Sequence, residues 1–322
     1  MANFLVIGGA GYIGSHVVLE LIEKGHRVCV YDNLLTGQKI NIVKGVKLIE
    51  GDILDFAHLK SVMQEGNFDG VVHLAAKKAV GESMEKPEIY ALNNITGSIN
   101  ILNAMVETGI QNIVFSSSAA VYGMPKYLPL DENHEKNPIN FYGYTKALIE
   151  DLLEWYARLK GINYIALRYF NAVGYDASGR IKGKEKNPQN LLPIIMDAAM
   201  SRRDGFLIYG NDYDTKDGTC ERDYIHVSDL ASAHEKALTK LMEQHESYIL
   251  NLGTGKVFSV KQVVEATENV ISKKLKYDYA PRRMGDPAKL VAKSDLAQKV
   301  LGWTPKYTDI KEIITTTWNM EK

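Results

Sequence analysis

The sequence predicts an α/β fold in which a doubly wound parallel sheet is followed, beyond residue 174, by a smaller mixed α/β unit. Three observations point there. The stretch Phe4-Leu5-Val6-Ile7 is apolar at every position, as a strand buried on both faces of a sheet must be. Glycines 8, 11 and 14 follow it, and Val17 to Lys24 then has the spacing of a helix, stopped by Gly25. After that, apolar strands and helical stretches keep alternating, the pattern of a parallel sheet wound on both sides.

The opening strand, glycine turn and helix form a dinucleotide cradle. Glycine is needed where φ is positive or where a backbone must touch a ligand, and the first turn of a helix presents free N–H groups that favour a phosphate. Gly8, Gly11, Tyr12, Ile13 and Gly14 are therefore expected against a pyrophosphate. A second apolar strand, Arg27 to Tyr31, ends in Asp32, about 20 residues on, where an acid holds the ribose hydroxyls of the adenosine. Asn33 follows it, and neither Arg nor Lys stands there to meet a 2′-phosphate, so the expected cofactor is NAD and the sheet is of the Rossmann type.

Val46 to Glu50 is a third strand, with Gly51-Asp52-Ile53 beyond its carboxyl end. Asp52 there is either an adenine ligand or a solvated turn residue. Gly70 to Ala76 is a fourth strand ending in Leu74-Ala75-Ala76, small enough for the backbone to approach the dinucleotide, with His73 as a core histidine. A long helix is expected over 88–108, carrying Asn93 and Asn94, and then a fifth strand over 112–118 tipped with Ser116, Ser117 and Ser118. Ligands sit beyond the carboxyl ends of such strands, so the serines mark where chemistry belongs. A helix over 142–160 closed by Gly161 and a sixth strand over 164–170 ending at Asn171 complete the unit. Residues 175 to 190, rich in Gly, Lys, Asp and Asn, read as a surface connection and domain boundary. Asn251 to Lys256 lacks the GxxxxGK[ST] spacing and reads as a turn after a strand at 248–250.

With 322 residues and 45% hydrophobic content the chain can bury a substantial core. A net charge of −1 and a pI near 6.7 argue against a nucleic-acid or membrane surface. No apolar run approaches the roughly 20 residues of a membrane span. Strand begins at residue 3, leaving no room for a signal peptide, and Cys29 and Cys220 are the only cysteines, so the expected setting is a reducing cytoplasm without disulfides. The eight histidines show no ligand spacing, and no metal is expected.

A bound nicotinamide implies hydride transfer, and an alcohol carbon gives up hydride only as a base takes the hydroxyl proton. Tyr with Lys four residues later on one helix face is one solution. That spacing occurs four times. Tyr122 with Lys126 brackets Pro125, Tyr156 with Lys160 lies at a helix end, and Tyr307 with Lys311 is remote from the dinucleotide strands. Tyr142 with Lys146 alone starts the helix after the serine-tipped strand. Lowering a tyrosine from about 10 to neutrality takes about 4 kcal/mol. An ammonium about 5 Å away contributes about 3 kcal/mol at an effective dielectric near 20. Lysine alone falls short, and the positive ring of oxidised NAD is the expected second charge, so Tyr142 should hold its proton more tightly once the ring is reduced.

At Gly8 to Ser15, Ser116 to Gly123 and Tyr142-Gly143-Tyr144-Thr145-Lys146 the chain resembles the extended short-chain dehydrogenase/reductase superfamily. More narrowly it resembles the UDP-glucose 4-epimerase family nearly end to end, on Lys78 to Ser83, Tyr169-Phe170-Asn171, Asn190 to Pro193, Tyr209 to Tyr213, Arg222 to Val227 and Pro281 to Asp286. The resemblance implies that tightly held NAD takes hydride from C4 of a UDP-hexose and returns it to the opposite face. It implies Tyr142 as base, Lys146 tuning it and touching the nicotinamide ribose, and Ser118 on the same hydroxyl. Lys78 would join the cofactor phosphates, Tyr169 would lie by the nicotinamide, and Asn94 and Ser116 would belong to the cofactor site. Asn171, Asn190, Leu191, Tyr209, Arg222, Arg283 and Asp286 would hold UDP, and two arginines facing a diphosphate make electrostatic sense of their own. Residues 1–174 would then bind NAD and 175–322 the UDP-sugar, with the chain near 222–245 packing back on the first unit.

Two residues depart from the family pattern: Glu221 and Lys77 stand where apolar residues are common. The resemblance also implies that Leu290 falls at the position whose bulk limits the sugar pocket, and its intermediate side chain leaves N-acetylated hexoses open. The alternatives are a 4,6-dehydratase or decarboxylating nucleotide-sugar enzyme of the same fold, of which dehydratases place an acidic pair after the strand-tip hydroxyl, where Ala119 and Ala120 stand here, and a mere NAD sensor, which would not need Tyr142, Lys146 and Ser118. The resemblance also implies a homodimer joined through the helices containing Asn93 and Tyr142.

Overall fold

The structure is a computed structural model that describes residues 1–183, 190–283 and 285–322. Residues 184–189 of the polar connection expected over 175–190, and Met284 of the 281–286 motif, lie outside the described residues. The strands are β1 (Asn3–Ile7), β2 (Arg27–Asp32), β3 (Lys47–Glu50), β4 (Gly70–His73), β5 (Asn112–Ser118), β6 (Asn163–Tyr169), β7 (Asn171–Val173), β8 (Phe206–Tyr209), β9 (Glu221–His226), β10 (Tyr248–Leu252), β11 (Val257–Ser259), β12 (Tyr277–Ala280) and β13 (Lys289–Leu290).

Seven of these make one sheet in the order β10-β6-β5-β4-β1-β2-β3. Every pairing in it is parallel. The unbroken apolar run of β1 has its reason in the layers. Phe4 and Val6 enter the core on one face, with helices Tyr12–Glu23 and Val227–Gln244, while Leu5 and Ile7 enter the core on the other, with Phe56–Gly66, Gly97–Thr108 and Phe141–Lys160. Successive side chains of a strand point to opposite faces, so a strand covered on both needs no polar position. Because β1 pairs with β2 on one side and β4 on the other, chain order reverses between β1 and β4. A crevice for a dinucleotide opens at the carboxyl ends of such strands.

The second half of the chain returns to this sheet twice. Helix Val227–Gln244 packs across Tyr12–Glu23, and β10 adds the seventh strand beside β6. The sheet therefore draws on sequence well past residue 174. The remaining strands form a four-stranded sheet, with β7, β11 and β13 all pairing to β9, and a pair of β8 with β12. Helices Leu191–Ala199, Val260–Ile271 and Ile310–Glu321 enclose a separate apolar cluster there.

Several expected elements differ in detail: the fourth strand, expected over 70–76, ends at His73, the strand expected over 248–250 runs to Leu252, and the helix expected over 17–24 begins at Tyr12. The helix over 88–108 is not continuous: Pro87–Tyr90 and Gly97–Thr108 flank a π-helical turn, Ala91–Thr96. The helix over 142–160 runs Phe141–Lys160, with the Asn140 side chain accepting from Gly143 N at 2.8 Å and Gly161 closing it at φ +71°. Among the described residues no helix is long and apolar enough to cross a membrane.

Candidate active site

The glycine cradle is built as its chemistry requires. Gly8 has φ +85°, and a Cβ there would stand 2.6 Å from Ala75 N, so the turn after β1 touches the end of β4. A Cβ on Gly14 would stand 2.2 Å from Gly8 O, so this glycine lets the helix lie directly on the turn. The helix begins at Tyr12 with Gly11 as N-cap and no side-chain cap, leaving first-turn N–H groups for an anion. Asp32, buried at the tip of β2, accepts from Ala10 N at 3.0 Å and Leu34 N at 2.8 Å, which ties the acid to the cradle. Asn33 donates to Asp52 at 2.9 Å, and Asp52 also accepts from Leu54 N at 2.9 Å. Asp52 thus shapes the turn at the crevice edge, where Ile53 packs under Gly97.

Leu74 and Ala75 both donate their N–H to Ile7 O, which folds the end of β4 over β1. Asn94, in the π-helical turn, is buried and receives the Lys77 N–H at 2.9 Å. It returns its own N–H to Lys77 O at 3.0 Å and to Thr145 Oγ1 at 3.1 Å. Its amide therefore positions the Ala76-Lys77-Lys78 loop against the helix that carries Tyr142. A π-turn turns such a side chain inward out of α-helical register, and these turns recur at functional sites. The Lys77 departure from the family pattern matters through its backbone, which any side chain would supply.

At the tip of β5, the Ser118 hydroxyl accepts from Ala120 N at 3.1 Å and hydrogen-bonds Tyr142. Burial pushes the Tyr142 phenol up to about 12, and the Ser118 contact opposes that rise. Lys146, one turn along, is fully buried; its Nζ donates to Ser116 O at 2.6 Å and lies 5.9 Å from the Tyr142 ring centroid. Burial lowers Lys146 to about 7, with the Glu150 carboxylate opposing. Tyr169, at the end of β6, hydrogen-bonds Ser116 and donates to His234 Nε2, whose Nδ1–H is committed to Leu230 O at 2.8 Å. The structure so brings Ser116, Ser118, Tyr142, Lys146 and Tyr169 together. His73 is a core residue, bonded through Nε2 to Ser98 at 2.8 Å.

Directly behind this group lies a buried polar network that sequence reading missed. Glu150, one helical turn past Lys146, accepts from Ser117 Oγ at 2.6 Å, Arg168 Nε at 2.9 Å and Arg168 Nη2 at 2.7 Å. Arg168 Nη1 donates to Tyr122 Oη at 2.9 Å, and Tyr122 donates to Asn251 Oδ1 at 2.6 Å. The available signal was Arg168 itself, the one charge within an apolar strand, since a buried charge needs a buried partner.

The residues expected to hold UDP gather around β8, β9 and β13 and at the starts of β7 and helix Leu191–Ala199. Arg222 donates to Pro287 O at 2.8 Å and stands 3.5 Å from Asp286. Arg283 stacks its guanidinium 4.0 Å over the exposed ring of Tyr209. Leu290 is paired opposite Arg222 and packs on the cluster of Ala119, Tyr122 and Phe170, beside the Ser118 tip. Asn171 starts β7, and Asn190 caps the helix that begins at Leu191. Glu221, next to Arg222, alternates to the other face of β9 and pairs with Lys289 at 3.0 Å, so its charge is answered there. Among the described residues no group of His, Cys, Asp or Glu could hold a metal ion.

A doubly wound sheet with a glycine cradle at its switch point and a Ser-Tyr-Lys group at the adjoining strand tip defines a nicotinamide-dependent enzyme of the short-chain dehydrogenase/reductase class. Residues 4–253 match the family described as "NAD dependent epimerase/dehydratase family", and the chain belongs to it. A UDP-glucose 4-epimerase of Rhizobium meliloti (strain 1021) is 46% identical over 317 residues, 98% of this chain and 96% of the relative. The crystal structure of UDP-glucose 4-epimerase from Brucella ovis in complex with NAD superposes with a TM-score of 0.96 at 43% identity, covering 99% of this chain and 98% of that one. The Bifidobacterium longum UDP-glucose 4-epimerase in complex with NAD+ and UDP gives 0.92 at 37% identity, covering 99% and 98%.

Proposed function

We propose that this chain is a UDP-glucose 4-epimerase, an NAD-dependent isomerase that interconverts UDP-glucose and UDP-galactose. The observation that carries the reading is the Ser118-Tyr142-Lys146 group beside a cradle that only glycine can form, followed by Ala119 and Ala120, which have no proton to give for an elimination. The cradle, Asp32 and the open helix N-terminus suit NAD, with Lys78 at the phosphates, Tyr169 and Ser116 near the nicotinamide, and Asn94 holding the loop that carries Lys78. Bound NAD supplies hydride acceptance and return at C4 and, while oxidised, a positive charge beside the phenol. Tyr142 Oη takes the proton of the sugar 4-hydroxyl and gives it back after the sugar has presented its other face. Ser118 holds the same hydroxyl in line, and Lys146 favours the phenolate. Arg222 and Arg283 hold the diphosphate, Tyr209 and Leu191 flank the uracil, and Asn171, Asn190 and Asp286 take the remaining polar groups of UDP. UDP then stays anchored while the hexose turns.

Residues 1–174 serve the cofactor and 175–322 the UDP-sugar, apart from the helix and strand that return to the first sheet. A homodimer is supported by apolar side chains left in water on the helices containing Asn93 and Tyr142: Leu92 is 54%, Trp155 56% and Leu159 69% exposed. A reducing cytoplasm suits the two buried, unpaired cysteines. The test is conversion of UDP-galactose by the purified protein without added cofactor. UDP-glucose as product supports the reading, and a 4-keto-6-deoxy product or none overturns it. In the same assay, Leu290→Tyr should remove turnover of any N-acetylated UDP-hexose accepted by the native chain while sparing UDP-glucose; equal loss of both refutes the pocket assignment.

A further inference from the structure

We propose that Glu150 is a positioning residue for the reaction: paired with Arg168, it fixes the Tyr142 helix to the serine-tipped strand and supplies the counter-charge that keeps Lys146 a cation. The inference rests on Tyr142 as the base.

The geometry joins the three elements that make the site. Glu150 lies on the catalytic helix, Ser117 on β5 between Ser116 and Ser118, and Arg168 on β6 next to Tyr169. One carboxylate receives donors from both strands, at 2.6 to 2.9 Å. Ser117 is on the face of β5 opposite its neighbours, so the strand presents Ser116 and Ser118 to the reaction and Ser117 to Glu150. The helix is thereby pinned one turn after Lys146, at a bidentate, dry contact of fixed register.

The charges around Lys146 leave Glu150 a second task. Facing the ammonium are Tyr142 and Glu150 on its own helix, the Phe115 ring on β5 and His73 on β4; Arg168 on β6 and Lys136, 3.6 Å away in the loop before the helix, meet the far side of the Glu150 carboxylate. Glu150 is the only carboxylate of this set. Without it, Arg168 would stand as an uncompensated buried cation, and Lys146, already lowered by burial, would lose its carboxylate and yield its proton. A neutral Lys146 no longer favours the Tyr142 phenolate, so base function would move to higher pH.

Glu150→Gln keeps the shape and an acceptor for Ser117 while removing the charge. For UDP-galactose conversion we expect kcat at neutral pH to fall on the order of tenfold with KM changed less than about twofold. We also expect the limb on which kcat rises with pH to move up by about one unit, and tyrosinate absorbance to move with it. The double variant Glu150→Gln with Arg168→Met removes the unpaired cation but still lacks the counter-charge, so its limb should stay displaced; Arg168→Lys retains both charges and should leave it in place. An unmoved limb and tyrosinate titration in Glu150→Gln, or a double variant restored to the native position, overturns the proposal. A native protein that fails to epimerise at all refutes the functional reading instead, before any variant is compared.

Discussion

Tyr142 cannot act as a base near neutrality unaided, because burial holds its phenol up at about 12. Bringing it to pH 7 takes about 7 kcal/mol, whereas an ammonium about 6 Å away gives about 3 kcal/mol at an effective dielectric near 20. The shortfall is larger than a free tyrosine would suggest, and because the value of about 12 already includes the Ser118 hydrogen bond, the reading requires the oxidised cofactor to meet it. Tyr142→Phe should lower kcat by about 10²- to 10⁴-fold with the bound NAD content unchanged; near-native turnover would remove Tyr142 from the reaction. At this scale the sequence was informative where spacing carries geometry. Tyr and Lys four apart on a helix must share a face, and the serines must stand at a strand tip. The carboxylate behind them was not legible, because nothing in the local pattern says that Glu150 and Arg168, on different elements, meet in the core.

Among the elements, the glycine turn is the least tolerant of change. Gly14→Ala would drive a methyl to within 2.2 Å of Gly8 O, a backbone atom that cannot swing aside. A cost of about 1–3 kcal/mol is expected, seen as a lowered thermal midpoint, with loss of copurifying NAD. A variant with native stability and native NAD content would show that the cradle is not used. The turn was plain from sequence, since three glycines between a buried strand and a helix leave few alternatives. The π-turn at Ala91–Thr96 was not, because it arises from tertiary demand: Asn94 has to reach the Lys77 backbone and Thr145 at once.

The whole molecule carries a stability dependence on pH that follows from its buried histidines. Burial lowers His16 and His234 to about 4 and His73 and His226 to about 3, so all four stay neutral in the folded protein while they take protons in the unfolded chain below about 6.5. The unfolded state then binds more protons, and stability falls as pH drops from about 6.5 toward 4, by at most about 1.4 kcal/mol per pH unit for each histidine. Asp223 and Asp229, raised by burial, bind protons more readily when folded and oppose the trend at the acid end, so the fall is cleanest between about pH 6.5 and 5. A thermal midpoint that stays level across that interval would contradict it. The seven-stranded sheet was legible up to β6 because its strands hold apolar runs that alternate with helical stretches, even where, as in β3, only Leu48 and Ile49 are apolar. The placement of β10 was not, since a strand at 248–252 joins a sheet begun at residue 3 only through long-range packing of helix Val227–Gln244.

The central claim is that hydride leaves C4 and comes back within one grip of the cofactor. UDP-galactose bearing deuterium at C4, incubated with the purified protein in ordinary water without added NAD, tests it directly. The account predicts UDP-glucose with deuterium still at C4. Exchange of the label for solvent hydrogen, or no conversion until NAD is supplied in stoichiometric amount, would contradict it.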